Sequence, residues 1–336
     1  MVFAKGIGML LLILGAFSVF SLKLPKGSRA MSGLADAAVA TFLVEAIFQY
    51  IFGDFLNIGF LGETGRTSGG MGAVAAAALV GVSMGTNPVF AVASGAAVAG
   101  YGILPGFLAA YVLHFVLKYT VKYLPAGLDT ILGTLLAAAL GRGIVLLTDP
   151  FVNWLISVVG DSISVATHQS PLVMGLVLGG LMKMVCTSPL SSMALTAMLG
   201  LTGLPMGIAA IACFGGSFTN GLIFQKLKLG DRGRVLAVML EPLTQADIIT
   251  KHPVPIYGSN FVGGALAGIG AAMLGIVNNA PGTASPIPGM LVPFAFNPPG
   301  KVLLALVLAA AGGTVAGFVG SAVFKKLGFG NDAVPE

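Results

Sequence analysis

Charged side chains are scarce in this 336-residue chain: Lys, Arg, Asp and Glu together make up 9% of it, against roughly 25% in an average soluble domain. So few charges cannot cover the surface of a water-soluble fold of this size. They are also unevenly spread. None occurs from Thr67 to Leu117, from Met184 to Gln225, or from His252 to Gly300, and each run exceeds the roughly 20 residues that cross a hydrocarbon core. Each run therefore folds back at least once. Cysteine is limited to two residues. Cys186 and Cys213 lie in apolar surroundings without metal-like or redox spacing, and read as buried small residues. There is no zinc signature, dinucleotide fingerprint or nucleophile elbow, so no catalytic residue, metal or cofactor is expected.

What is present is apolar, at 56% of residues, and it is arranged as about nine or ten segments that cross or dip into a bilayer. Candidate segments are 6–22, 31–53, 71–85, 89–117, 128–148, 151–167, 171–185, 190–224, 235–248, 257–277 and 302–324. Breaks are expected near Leu104-Pro105 and Leu204-Pro205. The first segment follows Lys5 like a secretory signal, but no small-residue cleavage site follows it, and Lys23, Lys26 and Arg29 come next. It is read as a transmembrane helix. The 49 glycines and 18 prolines imply closely packed or interrupted helices, whose freed backbone groups must line a cavity or be buried in protein. The fold class expected is all-α: a polytopic transmembrane bundle with broken helices and re-entrant hairpins, forming one domain over residues 1–336.

The net charge of +5 does not point to nucleic acid, because the basic residues sit in short clusters between apolar segments. These are Lys23 to Arg29, Lys118 with Lys122, Lys226 to Arg234, and Lys325 with Lys326. Under the positive-inside rule all four are cytoplasmic, which places the N-terminus outside, the C-terminus inside, and the chain as a multi-pass protein of a lipid bilayer. A faint repeat is also visible. Thr86-Asn87-Pro88 leading to Gly100 and Leu104-Pro105 parallels Thr187-Ser188-Pro189 leading to Gly200 and Leu204-Pro205. The repeat units would be about 67–122 and 171–230, each ending in a basic cluster and running in the same direction.

Polar residues within the apolar segments are where specificity can reside, because a charge at membrane depth costs at least roughly 2.5 kcal/mol. Glu241 follows the apolar run from Val235 to Leu240 and precedes Pro242, where a helix ends or kinks. Its carboxylate suits the hydroxyls of a sugar or polyol; alternatively it caps a helix or pairs with Arg232 or Arg234. Gln245 and His252 lie on the same stretch. The two proline breaks add Thr86, Asn87, Thr187, Ser188, Ser191 and Ser192, and Asn220 and Asn279 complete the candidate binding set. The other reading of these small polar residues is that they satisfy a broken helix or mediate helix packing. His114, above Lys118, reads as interfacial, and the glycine-rich 64–70 as an external or interfacial loop.

Several motifs resemble one family. Cys186-Thr187-Ser188-Pro189-Leu190-Ser191-Ser192-Met193-Ala194, then Met198 to Gly207, is similar to the membrane-embedded IIC proteins of the sugar phosphotransferase system, in particular the stand-alone branch that includes perfringolysin-regulator-like proteins. Leu240-Glu241-Pro242, Lys251-His252-Pro253 and the glycine-rich Gly263 to Gly268 resemble the wider IIC pattern, as do Asn279 to Gly282 and Asn297-Pro298. Val238-Met239-Leu240 stands where that pattern has Gly-Ile-Thr. The resemblance implies a homodimeric permease of the bacterial cytoplasmic membrane. It would move a sugar by alternating access, with phosphorylation supplied by separate IIA and IIB proteins. Two alternatives stand beside it: a membrane sensor or regulator that keeps the permease fold, and a secondary transporter driven by an ion gradient.

Overall fold

The computed structural model describes residues 2–120, 123, 125, 128–167 and 169–329, and they form helices without a single strand among them. Lys122 and His168 fall outside the described residues. Five helices are long and apolar enough to cross a membrane, and a bent pair makes a sixth. Large apolar side chains such as Leu12, Leu135, Leu147, Phe151, Val307 and Val319 are exposed, as lipid-facing positions are. The chain packs as two compact units, one of Met1–Ser18 with Ser157–Glu336, the other of Val19–Ile156.

The first helix, α1 (Val2–Lys23), ends in the smaller unit. There α2 (Gly27–Ala38) continues as π-helix over Val39–Leu43 and Ala46–Phe55. The next helix, α3 (Gly59–Gly69), turns back along it, and here the loop expected at 64–70 is helix instead. Its glycines serve close approach rather than turning: a Cβ on Gly65 would strike the backbone of Gln49, and one on Gly69 the Glu45 carboxylate. After a 60° bend, α4 (Gly72–Met84) and α5 (Pro88–Ala97) form a helical hairpin, with Gly81 against Ala91 and Gly95 against Val74. Gly85 ends α4 in the left-handed region at φ 91°, and Asn87 caps α5 by accepting the Val89 N–H at 2.9 Å. The chain then enters α6 (Ile103–Thr120), which runs beside α4 in the same direction, Gly106 against Ala73 and His114 beside Thr86.

The helix α7 (Asp129–Thr167) is continuous for 39 residues, where the sequence reading divides it at Asp149-Pro150. Proline removes one backbone bond there without ending the helix, which at 1.5 Å per residue is about 58 Å long. In the larger unit follow α8 (Pro171–Cys186), the short α9 (Ser192–Met198) and α10 (Gly203–Lys226). The breaks expected at the two Leu-Pro pairs lie just ahead of them, at Gly100 (φ 86°) and Gly200 (φ 57°). Pro105 and Pro205 instead occupy the first turns of α6 and α10, where an N–H has no helical partner to lose. The two segments thus share an order: helix, polar break, short helix, left-handed glycine, then a long helix with a lysine in its last turn.

The larger unit is completed by α11 (Arg232–Leu240), α12 (Ala246–Ile249), α13 (Pro253–Met273), α14 (Pro286–Leu291) and α15 (Pro299–Lys326). Its core is a set of helices whose facing residues give their directions. Gly175 and Gly179 of α8 lie against Gly268 and Gly264 of α13, so these two run antiparallel. Gly215 and Leu222 of α10 meet Gly313 and Gly317 of α15, so these run parallel and bring Lys226 and Lys325 to one end, the basic end. Lys183 lies against Gly216, so α8 runs parallel to α10 but stops short of the basic end. Substituting Leu for Gly268 is expected to destabilise the unit by about 3 kcal/mol or more, because the intruding carbon meets backbone that cannot yield; thermal unfolding in detergent would reveal it, and an unchanged midpoint would contradict this packing.

Candidate functional site

Three chain reversals within the larger unit point at one another. The first follows α8: Thr187 to Ser191 turn the chain back into α9, with Ser191 held at φ 58°. The second enters from the basic end. There Met239 of α11 packs on Gly221 of α10, the helix stops at Glu241-Pro242, and the chain returns through Pro242–Gln245 and α12. At its mouth the Arg234 guanidinium pairs with Asp247 at 3.2 Å, closing the hairpin. The third enters from the opposite end, where the Asn297 side chain clamps Val277 through bonds of 3.0 and 2.7 Å. From there the chain reaches inward to Thr283–Ser285 and leaves along α14, whose Gly289 rests on the Ala210 carbonyl.

The tips meet through two hydrogen bonds. The Ser285 hydroxyl donates to Glu241 Oε2 at 3.0 Å, and Ser192 donates to the Ala284 carbonyl at 2.5 Å. Glu241 is 5% exposed and also accepts from its own turn, the Leu243 N–H reaching Oε1 at 3.4 Å. Neither arginine weighed as its partner reaches it: Arg234 is engaged with Asp247. A buried carboxylate holding one long and one ordinary bond has lone pairs to spare, which a polyhydroxylated ligand can fill.

Of the residues singled out from sequence, Glu241 and Ser192 stand at this junction. Thr187 and Ser188 lie in its first turn but are satisfied locally, Thr187 on the Lys183 carbonyl at 3.0 Å and Ser188 on that of Val185 at 2.8 Å. Gln245 is buried on the returning arm with Oε1 unpartnered. Asn220 of α10 accepts from Asn260 of α13 at 2.6 Å, which leaves Asn220 Nδ2 and Asn260 Oδ1 buried without partners. Asn279 is elsewhere, capping the start of α10 through the Gly203 N–H at 3.1 Å. His252 occupies the N-cap position of α13, eight residues before Asn260 and so about 12 Å from it along the helix. Thr86 and Asn87 belong to the smaller unit.

Sequence reasoning passed over three members of this region: Ser285, Asn260 and Lys183. Lys183 carried a signal, a cation within Gly179 to Cys186, one residue outside a charge-free run. Its side chain is 0% exposed; Gly216 and Gly264 leave the space for its stem, and its ammonium reaches only the Cys213 carbonyl at 3.4 Å. Lys183 and Glu241 are the buried Lys and Glu among the described residues of this unit. The unit's 550 Å³ cavity, lined by residues such as Leu10, Leu14, Leu181, Met184, Val254 and Phe261, is apolar and does not suit a polyol. Replacing Lys183 by Met, which fits the same glycine-lined slot, is expected to preserve or raise thermal stability, since buried charges return little net stability. A fall in the unfolding midpoint would show instead that the ammonium holds the fold together.

Comparison with known proteins adds the family. Neither curated proteins nor solved structures gave a match to this chain. A family model described as "Phosphotransferase system, EIIC" matches residues 28–334, a range that takes in all three reversals and both polar breaks. This multi-pass membrane protein therefore belongs to the EIIC family, the membrane permease component of the phosphotransferase system.

Proposed function

We propose that the protein binds a sugar or polyol where the three reversals meet, and moves it across the bacterial cytoplasmic membrane by alternating access. The observation that carries this reading is the Ser285–Glu241 bond between tips that enter from opposite ends. Among the described residues no lysine or arginine forms an ion pair with this carboxylate, and its one strong donor is a neutral hydroxyl. A sugar hydroxyl is the same kind of donor. It can take the place of Ser285 with little net change in hydrogen-bond energy, because one neutral hydroxyl is exchanged for another. Parting the tips then opens the site towards one end while the other stays closed.

The buried amides of Asn220, Asn260 and Gln245 supply the mixed donors and acceptors a polyol needs, and their unpartnered atoms support a ligand role. In this reading phosphorylation is supplied by a separate IIB protein, itself charged by IIA, as membership of the EIIC family implies. The homodimer, the treatment of residues 1–336 as one functional domain, and the duplication of units about 67–122 and 171–230 are further parts of this reading. The shared element order and the left-handed Gly100 and Gly200 support the duplication.

Equilibrium binding to the purified full-length protein tests the assignment. Across a panel of radiolabelled sugars and polyols, Glu241→Gln is expected to weaken binding of the cognate ligand at least about tenfold, the loss of a charge-assisted bond. Ser285→Ala is expected to tighten it by roughly fivefold, since about 1 kcal/mol of competing intramolecular bond is removed. Binding that ignores both changes, or no binding of any member of the panel, would sink the proposal. Uptake into vesicles that needs a phosphoryl donor and the IIA and IIB proteins separates it from a secondary transporter, which would need only an ion gradient.

A further inference from the structure

The smaller unit holds a polar pocket, of about 470 Å³, that the proposed sugar transport leaves unused. Its polar lining is Lys26, Thr86, Asn87, His114 and Lys118, and no carboxylate is among its lining residues. It lies at the tip of the α4–α5 hairpin, beside the last turn of α6. Two basic clusters far apart in sequence, one before α2 and one at the end of α6, are thereby brought to one place, as expected of clusters on one side of a membrane.

The hydrogen bonds determine what the pocket can accept. The Lys26 ammonium donates to the Met84 carbonyl and lies 2.8 Å from His114 Nε2. With the ammonium as donor, Nε2 accepts and the His114 proton sits on Nδ1, 2.9 Å from Thr86 Oγ1. Thr86 thus accepts from the imidazole and keeps its own hydroxyl proton to give. Asn87 uses its Oδ1 to cap Val89 and keeps its amide protons. Lys118, one turn beyond His114 and exposed, is in no ion pair among the described residues. Burial, together with Arg29 and Lys118 nearby, holds the Lys26 ammonium below the usual lysine range, as befits cations gathered without a counter-charge. The ten-residue helix α5 also begins at this pocket, with its positive end towards it.

Every uncommitted side-chain group there therefore has a proton to donate. A polyol, whose hydroxyls also need acceptors, is poorly served, whereas a ligand made only of acceptors and carrying negative charge is complementary. We propose that this pocket binds a phosphate group, with Lys118 and Lys26 as its cationic partners and Thr86 and Asn87 as hydrogen-bond donors. Four separated donor groups match the three oxygens of a phosphoryl group better than the two of a carboxylate. Inorganic phosphate, a phosphorylated solute and an anionic phospholipid headgroup share that chemistry. The inference does not depend on what the larger unit transports.

Thermal unfolding of the full chain in lipid nanodiscs tests it. In neutral phosphatidylcholine at constant ionic strength, sodium phosphate is expected to raise the midpoint saturably and sodium acetate is not. Lys118→Gln, a change at an exposed side chain, is expected to raise the phosphate concentration needed by about tenfold, one charge-assisted contact being lost. In nanodiscs that also contain phosphatidylglycerol, a headgroup occupant would raise the wild-type midpoint above that of Lys118→Gln and abolish the response to phosphate. A soluble occupant would leave that response intact. The proposal is overturned if acetate acts as well as phosphate, if Lys118→Gln responds like the wild type, or if neither phosphate nor phosphatidylglycerol has any effect.

Discussion

Inside a bilayer an interrupted helix has no water to turn to, so every backbone group it frees must find a partner in the protein. The larger unit meets this constraint by bringing its interruptions together. The Ala284 carbonyl, exposed by one reversal, is taken by Ser192 of another, and the Glu241 carboxylate that ends a third is met by Ser285. Glu241 turns its own hairpin as well, its backbone carbonyl accepting from Thr244 at 2.7 Å. A single residue therefore ends a helix, shapes a turn and presents the junction's carboxyl group. Pro242, next in the chain, fixes where the helix stops.

The same logic explains why the helices around the junction are so rich in glycine. With lipid on the outside, no difference in polarity drives helices together, and association relies on close packing. Along α8 and α13, Gly175 and Gly179 meet Gly268 and Gly264 backbone to backbone, and Gly180 receives the Phe261 ring. Along α10 and α15 the Thr219 hydroxyl crosses to the Gly313 carbonyl at 2.8 Å, an approach open only because a side chain is missing. Close packing also makes room for a long cationic side chain in the interior, since Lys183 threads the space left by Gly216 and Gly264.

Much of this could be read from the chain. Long charge-free runs required folding back, and the Thr-x-Pro breaks and Glu241-Pro242 mark true interruptions because proline and small polar residues act locally, within one turn. What escaped depended on non-local contacts. Gly65 and Gly69 read as a loop because glycine usually marks one, yet only the approach of Gln49 and Glu45 explains them. Pro150 read as a boundary because nothing in the sequence says whether neighbouring turns will carry the helix past it. Pro105 and Pro205 were near the right breaks but on the wrong side of them: the reversal is made at the glycines, and the prolines open the next helix. Ser285 could not be paired with Glu241 from sequence, since 44 residues and two helices separate them.

The glycine seam between α8 and α13 carries one more implication. Surfaces that interlock through large side chains resist sliding, because each step requires rotamers to change and cavities to open. Here the teeth are two, Phe261 of α13 seated on Gly180 and Lys183 of α8 on Gly264, with bare backbone between Gly175 and Gly268. An axial shift of α8 would carry the Thr187–Ser191 turn with it, and only those two side chains would have to leave their glycine notches for the rods to slip.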